Sequence, residues 1–129
     1  NFLSYTGMTH HQETGNKAEL ITRDYLKKRN YVILETNWRS GHKEVDIIAR
    51  QEDRLVIVEV KSRTAGRVES PSDLLNYRKM RFLVEAAESY IYQKKLDTEV
   101  RFDLAVVIFR AGGYSMDYIE SAFTPGVNW

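Results

Sequence analysis

The chain has 129 residues, no cysteine, an ordinary apolar content and a formal net charge of +1. That length supports one hydrophobic core and not two. The lack of cysteine excludes disulfides and thiolate metal sites, and the near-neutral charge excludes a generic polycationic nucleic-acid coat. No apolar run is long enough for a membrane-spanning helix, and the opening residues lack the basic, apolar, small-residue order of a signal peptide. A cytoplasmic protein with no membrane partner is the expectation.

Asn1 to Glu13 shows no sustained period, so residues 1–14 are expected to form a flexible tail or leader, with Met8 a candidate native start. His10 and His11 fall in this tail and His42 is isolated, which argues against a structural zinc site. A single domain is expected over 15–123, with 124–129 a loose C-terminal tail around Pro125-Gly126. Thr14 can cap a helix over 15–29 that buries Ala18, Ile21, Tyr25 and Leu26. Glu19 lies in its first turn, where the helix dipole and an i,i+4 pair with Arg23 both favour a carboxylate.

Asn30 ends that helix, and Tyr31 to Trp38 reads as a strand with Val32, Leu34 and Trp38 on one face and Tyr31 and Ile33 on the other. Trp38 is expected in the core, and Arg39 is a candidate phosphate contact. Ser40-Gly41 turns the chain into Glu44-Val45-Asp46-Ile47-Ile48. A polar break at residues 50–54 then separates this run from Leu55-Val56-Ile57-Val58-Glu59-Val60-Lys61. Both runs are rich in β-branched residues, and the break is short enough for a hairpin. Strand alternation places Glu44 with Asp46, Glu59 with Lys61, and Val45, Ile47, Val58 and Val60 on the opposite face.

Charges in core-like strands cost several kcal/mol unless paired, hydrated or metal-bound. Two carboxylates on neighbouring strands make a hard-oxygen pocket suited to Mg2+ or Mn2+. Asp46 and Glu59 are the candidate ligands, with the Val60 carbonyl as a further oxygen, and Lys61 is placed to orient water or offset phosphate charge. The alternative reading of the same residues is an ion pair on a solvated strand face.

After Lys61, Ser62 to Ser70 lacks an apolar period and reads as a loop carrying Arg63 and Arg67, where a substrate-gripping segment would sit. Pro71 favours a helical start, and Asn76 caps a main helix over 77–95 with Met80, Leu83, Val84, Ala87 and Ile91 facing the core. Lys79 sits near its start, where backbone amides favour anions. The bases from Arg23 to Arg81 form either a local phosphate-binding surface or ordinary solvated charge. Val100 to Phe109 is the most continuous apolar strand, entered by a crossover that implies parallel pairing. Asp103 within it is expected to pair with Arg101 as structure. Ala111-Gly112-Gly113 turns into an antiparallel edge strand over 114–120, and Phe123 closes the core.

The result is an α/β domain: helix, three-strand meander, helix, strand, strand, with one central mixed sheet flanked by helices. Asp46 with Glu59-Val60-Lys61 resembles the signature of the restriction-endonuclease-like (PD-(D/E)XK) nuclease superfamily. More closely, the chain is similar to the YraN family of small bacterial endonuclease-like proteins, distantly akin to archaeal Holliday junction resolvases. The likeness runs from Gly15 and Glu19 through Asn37-Trp38-Arg39, Glu44 to Ala49, Val58 to Arg63, Lys79, Ala87, Tyr90 and Arg101-Phe102-Asp103 to Ala122-Phe123. It implies a three-layer restriction-endonuclease-like fold of about five strands and metal-dependent nuclease chemistry. It also implies a tuning role for Glu19 near the metal, a phosphate role for Lys79, and a homodimer able to engage a branched substrate. The function expected is a Mg2+- or Mn2+-dependent endonuclease, structure-selective on DNA. A non-catalytic nucleic-acid-binding module and a protein-interaction scaffold are the competing readings.

Overall fold

The computed structural model describes residues 10–66 and 70–127. Helix α1 spans His10–Lys28, followed by strands β1 (Val32–Ser40), β2 (Lys43–Gln51) and β3 (Arg54–Thr64). The short helix α2 (Pro71–Leu74) and the main helix α3 (Tyr77–Lys94) then cross to β4 (Glu99–Arg110), and β5 (Gly113–Phe123) completes the chain. The five strands form one sheet in sequence order. Pairing is antiparallel except between β3 and β4, which run parallel over the whole of β3. This is the expected three-layer restriction-endonuclease-like arrangement, a mixed sheet between α1 and α3.

The core strands alternate cleanly between two layers. Leu55, Ile57 and Leu104 pack with Leu83, Ala87 and Tyr90 of α3. Val56, Val58 and Ala105 pack with Leu26 and Tyr31 on the α1 face. Central strands buried on both faces must be apolar at almost every position, which is why these runs read as continuous.

Several expectations change. Helix α1 begins at His10, upstream of Thr14, which is therefore inside the helix and not its cap; the part of the expected tail over residues 10–14 is helical. Met8 and Arg67 lie outside the described residues. Thr22, on the same face as Ala18 and Leu26, is fully buried, because its hydroxyl donates to the Ala18 carbonyl at 2.8 Å and leaves no unmet polar group. Asn30 does end the helix region, in the left-handed conformation at φ 66°. The loop expected from Ser62 starts later, since β3 continues to Thr64 on its parallel pairing with β4. The last strand likewise extends to Phe123, which stacks on Phe102 at 4.8 Å.

In β1, a register shift between Ile33 and Glu35 breaks the expected alternation. Val32 and Leu34 are exposed on this edge strand, whereas Trp38 packs in the α3 layer, edge-on to Tyr90 at 5.3 Å. The main helix is capped as expected: the Asn76 side chain accepts the Lys79 amide at 2.8 Å, and Lys95 closes the other end in the left-handed region. Its buried stripe is rotated toward Phe82, Ala86 and Tyr90, leaving Met80, Val84 and Ile91 only half-buried.

Candidate metal and phosphate site

The site forms where the β2–β3 ladder stops. Regular pairing between these strands ends at Ile47 with Val58. One step further the Asp46 side chain replaces the backbone: its Oδ2 accepts the Val60 N–H at 2.7 Å. The side-chain alternation breaks at the same place, with Val45 in the α3 layer and Ile47 in the α1 layer, so these two do not share a face as expected. Glu44 turns away to an exposed pair with Arg39 at 3.0 Å. The β1 residue opposite Asp46, between the pairs Thr36 with Ile47 and Trp38 with Val45, is Asn37, held at φ 50°.

Glu59 is 3% exposed. Its Oε2 lies 3.3 Å from the Lys61 ammonium, its neighbour two residues along the strand face, and 3.3 Å from the Lys79 ammonium on the first turn of α3. Its Oε1 is buried without a hydrogen-bond partner among the described residues. Asp46 adjoins this carboxylate. Burial first, and then the Glu59 charge, push the Asp46 carboxyl up to about 8, against the Val60 N–H and Lys79, which favour its charged form. Two adjacent acids, Asp46 holding a proton that it shares with Glu59 by a side-chain hydrogen bond, fit a divalent cation that displaces this proton, takes one or two carboxylates and fills its other positions with water or phosphate oxygen. An extended residue directs its N–H and C=O to the same neighbouring strand, so the Val60 carbonyl faces the gap that its amide does.

The structure thus brings together Asp46, Glu59, Val60, Lys61 and Lys79. It does not bring Glu19 to them directly: Glu19 accepts from Asn37 Nδ2 at 3.0 Å and is attracted by Arg23, while burial raises its carboxyl. Arg39 is engaged by Glu44, and Arg63 donates to the Ser62 carbonyl at 2.7 Å. Among the described residues no group of three or more His, Asp or Glu side chains converges as a metal cage. Asp103 is the structural residue expected: fully buried, it accepts from Arg101 at 2.8 and 2.9 Å, from Tyr118 Oη at 2.6 Å and from the Ser121 amide at 3.0 Å. Reading by residue type did not single out Lys43, whose ammonium lies 5.3 Å from the centre of the Phe82 ring; the signal was its place two residues before Val45 on the strand that carries Asp46.

Fold and site together define a restriction-endonuclease-like α/β domain with a carboxylate and lysine cluster on one sheet face. Residues 18–107 match the model of Uncharacterised protein family UPF0102, and the chain belongs to this family, the YraN family of the sequence resemblance. It is 40% identical to a UPF0102 protein of Parabacteroides distasonis over 116 residues, 90% of this chain and 96% of that one. A UPF0102 protein of Bacteroides fragilis is 40% identical over 118 residues, 92% of this chain and 98% of its own. One from Flavobacterium psychrophilum is 39% identical over 116 residues, covering 90% and 98%. No helix among the described residues is long and apolar enough to cross a membrane.

Proposed function

We propose that this protein is a divalent-metal-dependent nuclease that hydrolyses phosphodiester bonds in nucleic acid, with structure-selective cleavage of DNA as the leading reading. The observation that carries it is the pair of adjacent acids Asp46 and Glu59, the second buried with one oxygen between Lys61 and Lys79. Asp46, Glu59 and the Val60 carbonyl would hold Mg2+ or Mn2+. Such an ion supplies a Lewis acid that acidifies water and offsets charge on a phosphate.

The chain's own residues do the rest. Lys61, tied to Glu59 from the same strand face, presents an ammonium that orients the attacking water and offsets negative charge on the phosphate. Lys79 brings a second ammonium from α3, able to exchange Glu59 for a substrate oxygen. Glu19 acts as a positioning residue, because it holds Asn37 opposite Asp46, where the alternation of β2 breaks. A homodimer presenting two such sites to a branched substrate belongs to the same proposal, and a monomeric mass by sedimentation removes that part.

The test is a cleavage panel with Mg2+ or Mn2+ on single-stranded, duplex, flapped and four-way DNA and on RNA, with Asp46→Ala and Lys61→Ala purified in parallel. Loss of cleavage in both variants and with chelator supports the assignment. Variants that cut as fast as the parent overturn it. The second reading, a non-catalytic nucleic-acid-binding module, is favoured by the neutralisation of Glu59 by two lysines and by the absence of a third acid among the described residues. It predicts salt-sensitive binding without cleavage.

A further inference from the structure

Phe82, in the second turn of α3, is flanked by two ammonium groups. Lys79 Nζ lies 5.4 Å from its ring centre and Lys43 Nζ 5.3 Å. These cations differ in one respect. Lys79 is spoken for by Glu59, whereas no ion pair engages Lys43 among the described residues. Lys43 is the first residue of β2, paired with Ser40 across the tight Gly41-His42 turn, and it is exposed. The hairpin tip therefore sets an unpaired ammonium over the α3 layer, three residues from Asp46 and near the same ring that Lys79 approaches.

We propose that Lys43 binds a backbone phosphate of the nucleic-acid strand next to the one held at the Asp46 and Glu59 site, so that the strand runs from Lys79 toward Lys43. This rests on the nuclease reading and adds to it a direction for the strand and a second phosphate contact. The chemistry is that of an electrostatic backbone grip: an ammonium not matched by protein releases counterions from phosphate on binding and reads no sequence. Phe82 fixes the stem, since a cation held over a ring face keeps its position while remaining open to an anion on the other side. Arg39 on the same hairpin differs from Lys43 in having an exposed pair with Glu44 at 3.0 Å.

The experiment is fluorescence anisotropy of labelled duplex and single-stranded DNA, without divalent metal, over a series of salt concentrations. It compares the parent with Lys43→Ala, Lys43→Met, Lys43→Arg and Lys28→Ala. Lys28, exposed on α1 and paired with Asp24, is the surface control. Lys43→Met keeps the stem on Phe82 and removes only the charge, and thermal melts establish that it folds. The expected result is about five- to tenfold weaker binding for Lys43→Ala and Lys43→Met, with the slope of log K against log salt reduced by about one phosphate's worth. Lys43→Arg binds as the parent does, and so does Lys28→Ala. Parental affinity and salt slope in Lys43→Met overturn the proposal and leave the nuclease reading intact, provided that Asp46→Ala abolishes cleavage. A parent that binds neither DNA at low salt and cleaves nothing overturns both.

Discussion

Asp46 Oδ2 accepts the Val60 amide at 2.7 Å, and this one bond both ends the β2–β3 ladder and holds a carboxylate against Glu59. A backbone carbonyl in the same place would have continued the sheet. The substitution of a side chain for the backbone is what converts a strand pair into a site.

That arrangement has a pH signature. The Asp46 carboxyl rises from 3.8 to about 8 on folding, through burial and then the Glu59 charge. A raised folded value means that the proton contributes stability fully present below about 3.8, which is lost as pH rises through about 8. In melts without metal, the parent should lose stability relative to Asp46→Asn across this window, and Asp46→Asn should be the more stable protein above it. Binding of Mn2+ requires the ionised acid, so titration calorimetry near neutral pH in buffers of different ionisation heat should show release of about one proton per ion. Absence of both effects would remove Asp46 as a ligand.

Metal should stabilise the folded parent by mass action, raising its melting temperature as free Mn2+ rises above the dissociation constant. Glu59→Gln should lose most of this increment while remaining folded, because the amide keeps the shape of the side chain. An equal metal-induced rise in Glu59→Gln would place the ion elsewhere.

Lys79 and Lys61 share one oxygen of a buried acid, so removing either leaves Glu59 less well matched. Lys79→Ala should destabilise the metal-free protein by about 1–2 kcal/mol. In the Glu59→Gln background the same change should have little effect, and the difference between backgrounds measures the pair. Additive losses in urea unfolding would show that the lysine acts through its stem and not its charge.

Asp103 gives the contrasting case. It is as buried as Glu59, yet Arg101, Tyr118 and the Ser121 amide all donate to it. Burial first and then the Asp103 charge raise the Tyr118 hydroxyl, and the hydrogen bonds to Asp103 raise the Arg101 guanidinium. Asp103→Ala should lower stability by about 3–5 kcal/mol, since the Arg101 guanidinium is left buried without its main partner. Tyr118→Phe should lose about 1–2 kcal/mol. Nucleic-acid affinity per folded molecule should be unchanged in Tyr118→Phe, and a selective loss of affinity would move this network out of the structural role.

The Asn76 cap links helix stability to the site. Asn76→Ala should cost about 1 kcal/mol through the freed Lys79 amide. Because Lys79 sits in that first turn, the change should also weaken its hold on Glu59, seen as a smaller Lys79→Ala effect in the capless background.

What the sequence determined by itself was local: β-branched runs that read as strands, a helix start signalled by Asn76, and two acids and a lysine set in those strands. Period two places Glu59 beside Lys61 because both sit on one regular strand, so their pairing was legible. The same rule misplaced Val45 and Ile47, since the alternation breaks at Asp46, whose side chain meets the Val60 amide of another strand. It also misassigned Val32, Leu34 and Trp38, because a register shift in an edge strand follows from pairing and leaves no periodic trace. Lys79 was singled out by its place at a helix start, but its contact with Glu59, and the approach of Lys43 to Phe82, follow only from tertiary structure. One arrives on a helix 20 residues after Glu59 in the chain and the other from a hairpin tip, and both meet at Phe82 because α3 packs its buried stripe on that face of the sheet. Spacing along the chain cannot encode such a meeting; it follows from which layer each element covers.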